Sequence, residues 1–306
     1  MMRAGGSEKF QWRLVAPREY KHEFPSRPPE APSRAKWTIG RGEWISPFVR
    51  PAYRGGIRCR KAGIHGGELM EILPRWAMAP VLRAWIAAKS GELARLPRPL
   101  DSPEWHSPGV DADRVLIFGG GPAVGWGVLS HAIALPGWLG RVLSRRTHRG
   151  VDVYARPVPR FRIAGALGEL RKVDVHDYNA VVITLCATDA GELTSLKTWE
   201  QGLSAMLRLI IQRSSPNVHI FVAGVHPIRS IPLYDSPLGS IAEAHARKIN
   251  AISARICEHL ANATYVALTA PEPCGALRVR DASSYRHWAD ELAEAMAPRL
   301  GMRYLA

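Results

Sequence analysis

The stretch Gly119-Gly120-Gly121-Pro122-Ala123-Val124-Gly125-Trp126-Gly127-Val128 decides how this chain is read. Ahead of it, Val115-Leu116-Ile117-Phe118 is a short, wholly apolar run of strand length. Behind it, Ser130 offers an N-cap for a helix expected from about His131 to Ser144. A strand that breaks into glycines and enters a helix is how α/β proteins build a site at the carboxyl edge of a sheet.

Outward from this point, strand and helix patterns alternate. Strands are expected at Val115–Phe118, Val151–Tyr154, Ala180–Leu185, Val218–Ala223 and Thr264–Ala267. Helices are expected at roughly 131–146, 163–172, 196–213, 239–261 and 284–299. Such alternation requires crossover helices and a parallel sheet covered on both faces. The expected fold class is α/β, a three-layer α/β/α sandwich with a five-stranded parallel sheet, over residues 113–300. Ser130 and Ser240 fit helix starts rather than nucleophile positions.

Two segments precede this domain. Residues 1–69 mix Pro, Arg, Gly and Trp without periodicity, as in Phe24-Pro25-Ser26-Arg27-Pro28-Pro29, and read as a disordered basic leader. Gly66-Gly67-Glu68 ahead of Met70 can be encoded by a purine-rich ribosome-binding sequence, so Met70 is the expected translational start. Residues 70–112 read as a helix to about Leu96 followed by a Pro-rich linker. Trp76, Met78, Val81, Leu82, Trp85 and Ile86 make the helix apolar, and Arg75, Arg83 and Lys89 interrupt the run before it could span a bilayer. The helix is expected to pack on the main domain or a second copy, with peripheral membrane contact as the alternative.

Composition narrows the function classes. The 306 residues are 46% hydrophobic and 22% charged, ordinary for a globular protein, but the formal net charge is +14. Residues 1–69 hold 14 Lys/Arg against 6 Asp/Glu, and the remaining residues hold 27 against 21. The excess therefore belongs largely to the leader, which argues against nucleic acid as a partner of the folded part. Cys59, Cys186, Cys257 and Cys274 have no zinc or disulfide-framework spacing, and His131, His148, His176 and His245 have no metal spacing. The triple glycine lacks the Lys-Ser/Thr of a phosphate-binding loop. No cofactor and no metal is expected. With no signal peptide at Met1 and no apolar run of membrane-spanning length, the expected location is cytoplasmic.

The spacing of the glycine stretch resembles the first block of the SGNH/GDSL esterase family, G-D-S-x-x-x-G-x-G-V, here G-G-G-P-A-V-G-W-G-V. The resemblance implies the flavodoxin-like SGNH hydrolase fold, and it pairs Gly120 with the family aspartate and Gly121 with its nucleophilic serine. After the second strand the family has a glycine whose N–H serves the oxyanion. Here the loop is Val158-Pro159-Arg160-Phe161-Arg162. The block G-x-N-D resembles Cys186-Ala187-Thr188-Asp189, which keeps the aspartate and replaces the amide donor by threonine. Aligning Tyr285, Trp288 and Ala289 with the last block puts Val279 at the histidine and Ala276 at the aspartate.

Hydrolysis requires a nucleophile, its base, an orienter for that base and oxyanion donors. None of the four stands at the matching positions, so a catalytically degenerate member is expected, with degenerate site positions Gly121, Val158, Cys186, Thr188, Asp189 and Val279. The primary reading is a non-catalytic binding or regulatory module. One alternative is an active hydrolase on ester bonds using relocated residues such as Cys186 and His226 with Asp189. Another is a structural partner of an active paralogue, joined through the 70–96 helix. His287, beside Trp288, reads as packing or surface. Any ligand retained at the old site is expected to be anionic, because Arg156, Arg160, Arg162, Arg278 and Arg280 lie on segments that reach the carboxyl edge of the sheet.

Overall fold

The computed structural model describes residues 75–231, 234–271 and 281–302. The leader, Ala276, Arg278, Val279 and Arg280 therefore lie outside the described residues. The chain runs α1 (Arg75–Ala94), β1 (Glu104–Ser107), β2 (Asp113–Gly119), α2 (Leu135–Thr147), β3 (Val151–Pro157) and α3 (Ile163–Leu170). It continues with β4 (Ala180–Thr184), α4 (Ala187–Gly191), α5 (Leu196–Arg213), β5 (His219–Ala223), α6 (Pro237–Glu258), β6 (Ala263–Val266) and α7 (Ala282–Met302).

The strands form one sheet in the order β1-β3-β2-β4-β5-β6. Strands β2 to β6 are parallel, in the three-layer arrangement expected. Among the described residues the sheet has six strands: the five parallel ones expected and one more. The extra one, β1, comes from the stretch read as a linker and pairs antiparallel with β3 at the edge. Pro103 and Pro108 bracket it and hide it from pattern reading, yet proline beside a four-residue edge strand costs no ladder bond. Trp105 of β1 lies over Gly140 of α2, where a Cβ would come within 2.5 Å of its ring.

Two apolar cores cover the sheet. On one face Val115, Ile117, Val182 and Phe221 meet α2 and α7 through Leu139, Leu143, Trp288 and Leu292. On the other, Leu116, Phe118, Val181 and Ile183 meet α1, α3, α5 and α6 through Leu82, Phe161, Trp199, Leu203 and Ile249. The central strands are buried on both sides, which is why they read as unbroken apolar runs. Helix α1 packs on this domain: Leu82 is fully buried, and the Trp85 ring meets Tyr234 edge-on at 5.7 Å. No helix among the described residues is long and apolar enough to cross a membrane.

Helix starts follow capping chemistry. Ser195 accepts from the Thr198 N–H to open α5, and Ser236 accepts from the Gly239 N–H to open α6. Ser240 therefore lies inside α6 rather than at its start. Ser130 caps only a 3-10 turn, His131–Ile133. Ala134 is extended, and α2 begins afresh at Leu135 with Pro136 in its first turn, where a missing N–H costs nothing.

Candidate functional site

The strand registers align the carboxyl ends of the sheet in one row. Pro157 stands opposite Gly119, Gly119 opposite Thr184, Thr184 opposite Ala223 and Ala223 opposite Val266. After β2 the chain goes to β3 on one side, and β4 then lies on the other, so the topological switch falls between β2 and β4. That crevice is where open α/β sheets hold ligands.

The glycines are required by what surrounds them. Gly119 has φ +132°, and a Cβ there would fall 2.2 Å from the Thr184 carbonyl oxygen. Gly121 has φ +54°, in the left-handed region that favours glycine. A Cβ on Gly121 would stand 3.3 Å from both Cys186 Cβ and the Leu185 oxygen, tight but open to adjustment. On Gly120 a Cβ would meet Phe161 Cβ at 2.7 Å and Cys186 Sγ at 3.1 Å, so the position paired with the motif aspartate has no room for one.

Phe161 and Cys186 fill the crevice. Phe161 is fully buried and sits edge-to-face on Phe118 at 6.2 Å. The Cys186 thiol donates to the Phe161 carbonyl at 3.4 Å and lies 3.3 Å from the Thr188 hydroxyl. Cys186 occupies the N-cap of α4 without a side-chain cap hydrogen bond. Val158 donates its N–H to the Gly119 carbonyl at 2.7 Å, which ties the loop after β3 onto the glycine turn.

Asp189 is held for structure. Its carboxylate accepts from the Ile163 N–H at 3.0 Å and the Thr194 hydroxyl at 2.8 Å, joining the start of α3 to the end of α4. Burial raises its pKa from 3.8 to about 6, against the opposing effect of those two hydrogen bonds. Beside it, Arg162 makes a two-nitrogen pair with Glu192, and these hydrogen bonds raise the guanidinium pKa further.

Cys186 and His226 follow neighbouring strands but face different cores. The His226 ring stacks on Trp288 at 5.0 Å, within the α2/α7 layer, and its Nδ1 lies 3.2 Å from the Pro227 oxygen. Cys186 belongs to the opposite layer. Among the described residues no hydrogen bond joins the two.

Of the three candidate ligand arginines among the described residues, Arg160 and Arg162 share a surface. Arg160 and Arg162 line an open cleft of about 570 Å³ whose apolar wall includes Val158, Pro159, Phe161 and Ala164. Arg160 makes no ion pair among the described residues. Arg156 is exposed outside that lining, with Nη1 directed to the Ala155 oxygen.

One polar cluster was not read from the sequence. Where the chain leaves β6, the Thr269 hydroxyl lies 2.7 Å from His287 Nε2 and donates to Glu291 at 2.6 Å, while Trp288 Nε1 donates to the Thr269 oxygen. The His287–Glu291 spacing of four residues on α7 was the available signal. Thr269 is eighteen residues away and gave none. No group of three or more His, Cys, Asp or Glu among the described residues is placed to hold a metal.

The family model described as GDSL-like Lipase/Acylhydrolase family matches residues 117–292. No curated protein matches the sequence. Among solved structures, TesA is similar at 13% identity, with 61% of this chain and 99% of that chain covered and a TM-score of 0.46. Est24, a carbohydrate acetylesterase from Sinorhizobium meliloti, gives 10% identity, 61% and 99% coverage and a TM-score of 0.45. The salicylyl-acyltransferase SsfX3 from a tetracycline biosynthetic pathway gives 14% identity, 63% and 55% coverage and a TM-score of 0.43.

Proposed function

The chain belongs to the GDSL-like lipase/acylhydrolase family, and from that premise we propose that it is a non-catalytic binding or regulatory module on the esterase fold. The observation that carries this reading is the packing of Gly120, Phe161 and Cys186 at the switch point between β2 and β4. Gly121 brings no hydroxyl to the turn. Phe161 and Cys186 pack against its neighbour Gly120. Pro159 has no N–H to offer an oxyanion, and Thr188 stands where the resemblance expects an amide. Asp189, the acid that remains, is engaged in holding α3 to α4.

The ligand that fits the remaining surface is a small anion with an apolar part. Arg160 stands without an ion pair among the described residues, above a wall of Val158, Pro159, Phe161 and Ala164, and a guanidinium pairs well with carboxylate or phosphate. Arg162 is committed to Glu192, so Arg160 is assigned the primary contact.

Two measurements test the reading. The full chain should take no label from fluorophosphonate serine-hydrolase probes and should not turn over short-chain aryl esters. Turnover abolished by Cys186→Ala would instead favour a hydrolase with relocated residues. A thermal-shift screen of small phosphates, acyl phosphates and dicarboxylates should give a hit that disappears in Arg160→Ala. Ligand at about 100 times its Kd stabilises by about 2.7 kcal/mol, well within detection. Equal shifts in wild type and variant would remove the cleft from the proposal.

A further inference from the structure

Beside the glycine stretch, but outside the crevice, three exposed aliphatic side chains surround one hydrogen-bonded turn. Leu100 is 95% exposed, Leu129 70% and Ile133 40%. The Ser130 hydroxyl donates to Asp101 at 2.7 Å and the His131 N–H donates to the same carboxylate at 2.8 Å, which brings Leu100 and Leu129 to one place. Ile133 joins them through its N–H bond to the Ser130 carbonyl. A single exposed leucine is ordinary, but three on one turn make a surface that water covers at a cost.

Cations stacked on indoles border this turn. The Arg98 guanidinium lies 4.8 Å over the Trp126 ring. Arg141 lies 4.3 Å over Trp138 and donates to the Ala132 carbonyl, one residue from Ile133. Arg286 lies 5.5 Å from the centroid of the Trp138 ring and 3.9 Å from the half-exposed Asp290, and its neighbour Tyr285 donates to the Trp126 carbonyl. The one carboxylate within the turn, Asp101, is engaged by Ser130 and His131.

We infer that this face, Leu100, Leu129 and Ile133 ringed by Arg98, Arg141 and Arg286, is a docking surface for an anionic phospholipid membrane. The charge complementarity decides the occupant. Half-buried tryptophans with stacked arginines suit the headgroup layer, where an indole is both apolar and wet. The aliphatic tips would enter the boundary of the acyl chains, and the guanidinium groups would meet phosphate. The contact is peripheral, and it does not use α1, whose Met78 and Leu82 are turned into the core.

The test is co-sedimentation of the full chain with vesicles of phosphatidylcholine alone and with about one-third phosphatidylglycerol. Binding to the anionic vesicles is expected, with little to the neutral ones, and it should weaken as salt rises. Two double variants at exposed positions divide the contributions: Leu100→Asp with Leu129→Asp, and Arg98→Glu with Arg286→Glu. Each should lower the partition coefficient about tenfold or more while the circular dichroism spectrum stays that of wild type. Should the aspartate pair disturb folding, Leu100→Ser with Leu129→Ser replaces it. Three results would overturn the proposal: no binding by the wild type; undiminished binding by the leucine variant, which would assign the attraction to the basic leader or to charge alone; or a fall in oligomeric state on changing the leucines, which would seat a second copy there.

Discussion

Replacing Asp189 by Asn should stabilise the protein at neutral pH and leave it almost unchanged in acid. The carboxylate is buried, and its pKa stands at about 6 against an ordinary 3.8. A group whose folded pKa is raised binds its proton more tightly in the native state than in the unfolded one. Stability from this group is therefore greatest below pH 3.8, falls as pH rises through the interval between the two pKa values, and is lost above the upper one. A rise of this size corresponds to about 3 kcal/mol at pH values well above the folded pKa. Asparagine carries no charge to desolvate. Its amide oxygen can still accept from the Ile163 N–H, and its other end can still pair with the Thr194 hydroxyl. The assay is urea unfolding followed by tryptophan fluorescence at several pH values between about 4 and 8. The difference between variant and wild type should climb from near zero to about 3 kcal/mol across that range. A difference independent of pH, or an Asn variant weaker than wild type at neutral pH, would refute the reasoning. It would mean that the charged carboxylate supports the fold.

Four further outcomes are expected. Gly121→Ser should fold with a loss of about 1–2 kcal/mol, since its φ is left-handed, and should show no esterase activity above buffer. Turnover there would mean that a histidine such as His226 or His287 serves as base. Phe161→Ala should cost about 3–5 kcal/mol in urea unfolding, because the ring is fully buried against Phe118. Gly120→Ala should destabilise by more than the usual surface change, as its Cβ would overlap the side chains of Phe161 and Cys186; a variant within about 0.5 kcal/mol of wild type would mean the crevice is not filled. Leu82→Ala should cost about 2–5 kcal/mol if α1 is part of the folded domain, and a negligible loss would detach that helix.

Several features were legible because they depend on local pattern. The central strands announced themselves as apolar runs, since both faces of β2, β4 and β5 are buried. Helix α5 is expected over 196–213 and spans Leu196–Arg213, but its cap, Ser195, is not among the helix starts read from the sequence, which are Ser130 and Ser240. The glycine spacing carried the family, because a turn that touches the Thr184 carbonyl admits no Cβ. The pairing of β1 with β3 was not legible. Four residues between prolines have no period to show, and only the β3 edge makes them a strand.

The sequence by itself determined the layer architecture and the glycine at position 121, both properties of residue type and order along the chain. Only the tertiary structure decided what surrounds the glycine turn. Phe161 and Cys186 lie twenty-five residues apart, and their meeting over Gly120 depends on the crossover that carries β3 to β4. That Cys186 and His226 turn to opposite cores likewise depends on the direction each side chain takes after its strand. Periodicity ends at the last strand residue and cannot report that direction. Asp189, which the resemblance pairs with a motif acid, is buried between α3 and α4, where its hydrogen bonds make it a structural clamp.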